Sequence, residues 1–113
     1  HLRAMIERGQ STPAQNYLDA KKAIDILNRL FRIVFSGFDA VLTPATTGEA
    51  PVGLETTGNP VFCKLWTLCG LPCISMPLLT AKSGMPLGMQ MVGPLGRDAG
   101  LLRNAKWLME RGI

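Results

Sequence analysis

Ser75 is the one serine that falls inside an apolar run reading as a strand, Cys73-Ile74-Ser75-Met76-Pro77. A serine nucleophile needs a base to take its proton and donors to hold the oxyanion. The Gly-x-Ser-x-Gly elbow that would expose such a serine is missing around Ser75, and the single histidine is His1, at the start of the chain. Ser75 therefore reads as structural. Ser11, Ser36 and Ser83 stand at helix or loop ends, where hydroxyls cap or close turns.

Cysteine is the next reactive type. Cys69 and Cys73 lie four apart across a helix-to-strand turn, with Cys63 upstream. Zinc sites use paired short spacings and often histidines, and neither is present, so the three read as small buried hydrophobes and no metal is expected. Gln90 is the polar member of the run Leu87–Val92, in which alternation sets Met89 and Met91 against Gly88, Gln90 and Val92. A buried amide must be hydrogen-bonded, which makes Gln90 a tie to neighbouring backbone ahead of a substrate contact. Asp39 precedes a strand without a partner acid and reads as a turn cap. Gly93-Pro94-Leu95-Gly96 lacks the spacing of a phosphate-binding loop and is a turn. On residue chemistry alone the chain carries no assembled active site, no catalytic residue and no cofactor.

The elements that must hold these residues follow from spacing. Thr12-Pro13-Ala14-Gln15 opens a helix with Thr12 as cap and Gln15 as the amide of a capping box, and Ala20, Ala23, Ile24, Leu27, Leu30, Phe31 and Val34 recur at helical intervals. Gly37 ends it as a left-handed cap. A short strand follows at Ala40-Val41-Leu42, stopped by Pro44. Residues 46–59, rich in Thr, Gly and Pro, form a long loop, the best place for a pocket wall; Thr46 and Thr47 on it, with Phe62 and Trp66 next to it, are the expected lining of a substrate pocket. Pro60–Cys69 is a helix in which Phe62 and Trp66 also suit a core. Cys73–Pro77 and Leu87–Val92 are strands joined as a hairpin through Ala81–Gly84, and Asp98 caps a last helix that Gly112 closes. The order α-β-α-β-β-α indicates an α/β fold, a layered mixed sheet with helices, of which this chain holds a portion.

The 113 residues are 47% hydrophobic and 18% charged, with a mean hydropathy of +0.18, so the chain folds. The net charge of +4 is scattered without interleaved aromatics, which argues against nucleic acid, and no apolar run reaches the roughly 20 residues of a membrane span. An odd count of three cysteines favours reduced thiols in a cytoplasm. The start at His1, without an initiator Met, is expected to mean that the natural start lies upstream or was replaced by an expression remnant.

Three blocks, Phe38-Asp39-Ala40-Val41-Leu42-Thr43-Pro44, Gly70-Leu71-Pro72-Cys73-Ile74-Ser75-Met76-Pro77 and Gly84-Met85-Pro86-Leu87-Gly88-Met89-Gln90-Met91-Val92-Gly93-Pro94, resemble in order and spacing the closing portion of amidase signature enzymes. Tyr17-Leu18-Asp19-Ala20 and the tail with Asp98, Leu101, Leu102 and Ala105 are similar as well. The chain departs from the family pattern at Ile24, Ala45 and Thr67. The resemblance implies that residues 1–113 are the C-terminal portion of an amidase domain acting on a small-molecule amide. In that family a serine nucleophile, a second serine in a cis peptide and a lysine cleave the amide or transfer its ammonia. Nothing here matches the region that carries them, so this portion by itself is expected to be inactive. Its implied role is sheet completion and one pocket wall. The rival reading is a non-catalytic α/β interaction module. Either way, strands apolar on both faces predict a homodimer or other self-association of the isolated chain.

Overall fold

The computed structural model describes residues 2–112; His1 lies outside the described residues. Its elements are α1 (Leu2–Ser11), α2 (Ala14–Gly37), β1 (Val41–Pro44), α3 (Val61–Cys69), β2 (Cys73–Thr80), β3 (Pro86–Val92) and α4 (Asp98–Arg111). α1 adds a helix to the expected order. It buries none of its residues and is braced on its surface by the Arg3–Glu7 ion pair at 3.3 Å.

The extra helix reassigns the junction that follows. Thr12, expected to cap α2, instead donates its hydroxyl to the Arg8 carbonyl at 2.8 Å, as Ser11 does at 2.9 Å, closing the end of α1. Pro13 takes the cap position without a side-chain bond, and Gln15 donates to Asp19 at 2.9 Å on the helix surface, so no capping box forms. Gly37 is not a left-handed cap either. It stays helical and Phe38 leaves in extended conformation, φ −139°, while Ser36 donates back to Ile33 at 2.7 Å. Asp98 makes no cap bond and is the first residue of α4, where its charge favours the positive helix end. Gly112, with φ +74°, ends that helix as expected.

The strands lie in the order β1-β3-β2, antiparallel throughout. β2 does not stop at Pro77. Between the pairs Met76–Met89 and Leu79–Leu87, Pro77 and Leu78 stand against Gly88 alone, and this bulge absorbs a residue that has no N–H to donate. The hairpin turn closes with Ala81 N–H to Met85 at 2.8 Å and Gly84 at φ +89°.

Each face of β3 meets a different helix layer. Met91 packs with Met76, Leu101 and Ala105, so α4 covers that side. Val92 packs with Cys69 and Leu71, against Leu27, Phe31, Phe35 and Trp66 of α2 and α3. Both layers are thin. The molecule measures 49 × 42 × 18 Å with a radius of gyration of 17.0 Å, against about 13 Å for a self-contained domain of this length. Its accessible surface is 8692 Å², where a folded monomer of 12.2 kDa exposes about 6,100 Å². Roughly 2,600 Å² of surface that a complete domain would bury is open.

Candidate functional site

Gln90 is the polar centre of the chain. It is 4% exposed, and its side-chain nitrogen donates toward Thr43 Oγ1 at 2.9 Å, the Pro44 carbonyl at 3.2 Å and the Phe62 carbonyl at 2.6 Å. One amide thereby ties β3 to the end of β1 and the first turn of α3. Its oxygen faces the Cys63 thiol at 3.9 Å, and that thiol also points to the Ala45 carbonyl at 3.4 Å. The expected tie to backbone is what the structure shows.

Cys63 and Ala45, at the edge of this knot, also line a cleft of about 390 Å³, walled with them by residues 46–51 and 57–60, Pro86 and Gly88. Thr46 and Thr47 border this cleft, and the Thr46 hydroxyl and Gly48 bond each other to shape the wall. Glu49 reaches across the loop to the Ser83 hydroxyl, which holds the loop to the β2–β3 turn. Phe62 contributes its carbonyl to Gln90 and its ring is not among the lining groups. Trp66 sits on the other side of α3, its ring 5.3 Å from Phe31, within the core layer. Cys63, Glu49, Pro86 and Gly88 were missed as lining residues.

Gly88 permits this packing. A Cβ built on it would lie 2.9 Å from Ser75 Oγ and 3.2 Å from the Ala45 Cβ, while its carbonyl accepts from Ala45 N–H at 2.9 Å. Gly88→Ala is expected to destabilise the fold by about 1–3 kcal/mol and to narrow the cleft, measured as a lowered unfolding midpoint. An unchanged midpoint would show that the strand ends separate freely.

Ser75 is exposed and pairs with Gln90 across β2–β3, with no base beside it among the described residues. The cysteines are all free; burial pushes the Cys69 thiol up, and burial followed by the neighbouring Cys63 pushes Cys73 up, so neither is an activated thiolate. Among the described residues no group of three His, Cys, Asp or Glu side chains could hold a metal. Asp39, expected to cap its turn, makes no such hydrogen bond among the described residues; it faces a second, larger cleft of about 800 Å³ between α2 and the start of α4. Gly93–Gly96 is a turn, with Arg97 N–H on the Pro94 carbonyl at 3.1 Å and Gly96 at φ +71°.

The sequence model of the Amidase family matches residues 1–102. The chain belongs to the amidase family. It is 40% identical over 100 residues to a glutamyl-tRNA(Gln) amidotransferase subunit from Cereibacter sphaeroides, covering 79% of this chain and 20% of that protein. The mitochondrial counterpart of that subunit in Mus musculus is 34% identical over 104 residues, 82% of this chain and 20% of its own length. This amidase chain thus spans about a fifth of the curated relatives it matches. Among solved structures it superposes on an amidase with a TM-score of 0.81 at 27% identity, over 99% of this chain and 28% of that one. It shares its fold with 6-aminohexanoate cyclic dimer hydrolase, TM-score 0.74 at 21% identity, over 96% of this chain and 26% of the hydrolase.

Proposed function

We propose that residues 1–113 are the C-terminal portion of an amidase that cleaves the C–N bond of a carboxamide, contributing sheet strands and one wall of the substrate pocket. The observation that carries this reading is the pairing of family membership over residues 1–102 with a match to only one fifth of the relatives' length. The open surface of the slab supports it, since a family chain about four times as long offers the cover that this piece lacks. The catalytic serines and lysine then belong to the remaining portion. The wall is the Thr46–Thr47 loop, pinned by Glu49 to Ser83. Small aromatic or aliphatic amides suit a cleft of about 390 Å³ whose lining here carries hydroxyls and no ionised group except Glu49. Three free thiols support a reducing compartment such as the cytoplasm, and among the described residues no helix is long and apolar enough to cross a membrane.

The test compares the 113-residue chain with the intact parent on a panel of simple amides. The chain alone is expected to show no turnover, and the parent to keep its activity when Ser75 is replaced by alanine. Turnover by the isolated chain that Ser75→Ala abolishes would overturn this assignment and place the nucleophile here.

A further inference from the structure

The larger cleft carries a charge pattern that the amide-cleaving role does not use. It holds about 800 Å³ between the C-terminal half of α2 and the start of α4, and three arginines line it: Arg32, Arg97 and Arg103. None of them pairs with a carboxylate among the described residues, whose ion pairs are Arg3–Glu7, Lys22–Asp19 and Lys106–Glu110. Asp39 is the one acid on the cleft wall, and it makes no ion pair with them. The Arg103 guanidinium lies over the first turn of α4, 3.8 Å from where a Cβ on Gly100 would stand, and that turn has no side-chain cap. Three arginines and a positive helix end therefore border one hollow. The carboxylate of Asp98, in that first turn, offsets part of this charge.

The rim says what kind of group fills it. Phe38 and Leu95 line the cleft 68% and 57% exposed. A free inorganic anion would satisfy the arginines and leave both apolar side chains as they are. A polypeptide segment supplies both needs: carboxylates for the arginines and apolar side chains for the rim. The relatives extend over about four times the length of this chain, and the slab leaves roughly 2,600 Å² open, so polypeptide is at hand to occupy the cleft.

We propose that the Arg32–Arg97–Arg103 cleft docks an acidic segment of the amidase polypeptide lying outside residues 1–113, fixing this portion against the rest of the domain. The proposal rests on the reading of the chain as part of a larger amidase. The experiment uses the intact parent with Arg32→Lys, Arg97→Lys or Arg103→Lys, which keep the charge and place an amine in a cleft that has no lysine of its own. A carbodiimide activates a touching carboxylate, the amine displaces the urea, and the amide formed is mapped by mass spectrometry. The expected product joins a substituted position to an Asp or Glu outside residues 1–113, and R32E/R97E/R103E lowers the melting midpoint of the parent while Lys82→Glu does not. Cross-links only to Asp39, no cross-link at all, or a triple variant melting like the parent would each overturn the docking. Citrate that raises the melting midpoint, with no segment captured, would overturn it in favour of a free anion. Failure of the parent reading itself shows separately, as amide turnover by the isolated chain. If the triple variant does not fold, the three lysine variants still decide the matter.

Discussion

Gln90→Leu is expected to lower stability by about 1–3 kcal/mol, read as a shift in the denaturation midpoint with little change in its slope. Leucine matches the volume but donates nothing. The Thr43 hydroxyl and the Pro44 and Phe62 carbonyls would then lose the amide that serves them, in a position only 4% exposed. Leaving a buried acceptor unpaired costs more than the net value of the bond. Thr43 retains some relief, because its hydroxyl already donates to the Pro44 carbonyl at 3.1 Å. The Phe62 carbonyl, at 2.6 Å the shortest of the three contacts, loses the most. Gln90→Glu separates hydrogen bonding from shape. An ionised carboxylate would face three acceptors, so its folded-state pKa should rise, and the variant should regain stability as pH falls toward protonation. A Gln90→Leu midpoint equal to that of the unaltered chain would refute the role of the amide as the tie between β1, β3 and α3.

The second large effect concerns the isolated chain. Light scattering coupled to gel filtration should show mass rising with concentration, through dimers or larger aggregates. The reason is the surface: 8692 Å² is exposed where about 6,100 Å² is usual for this mass. A standard protein interface covers about 800 Å² per partner, so a single dimer contact would not close the roughly 2,600 Å² excess. β1 and β2 are both edge strands of the three-stranded sheet, and each offers backbone groups for pairing. Exposed apolar side chains along α1 and α2, among them Leu2, Met5, Ile6, Ile26, Leu30 and Ile33, add to the driving force. A strictly monomeric mass at high concentration, with no dye bound to apolar surface, would mean that the slab is stable as it stands.

Much of the secondary structure was legible because it rests on local physics. The 24-residue α2, the α3 helix ending at Gly70 in left-handed conformation, the β2–β3 hairpin and α4 all follow from apolar spacing and Gly or Pro punctuation. α1 is the element outside the expected order, although Leu2, Met5 and Ile6 recur at helical spacing beside the Arg3–Glu7 pair. That helix also takes Thr12 away from α2, because the Thr12 hydroxyl has a nearer carbonyl to serve where α1 ends. Gly37 misled because glycine permits a left-handed cap without requiring one, and an extended Phe38 ended the helix instead.

By itself the sequence determined the α/β class, the family resemblance and the alternation that sends Gln90 inward. These are properties of residue type and of spacing within a few turns or strand steps. Only the tertiary structure decided which helix faces which side of the sheet, since the order β1-β3-β2 sets β3 between strands far apart in sequence. That order brings Thr43 and Phe62 to Gln90, puts Cys63 and Gly88 beside Thr46, and turns Trp66 toward Phe31 and away from the cleft. It also gathers Arg32, Arg97 and Arg103 around one hollow. Contacts between residues 28 to 47 positions apart depend on how whole elements pack, and no local periodicity encodes that choice.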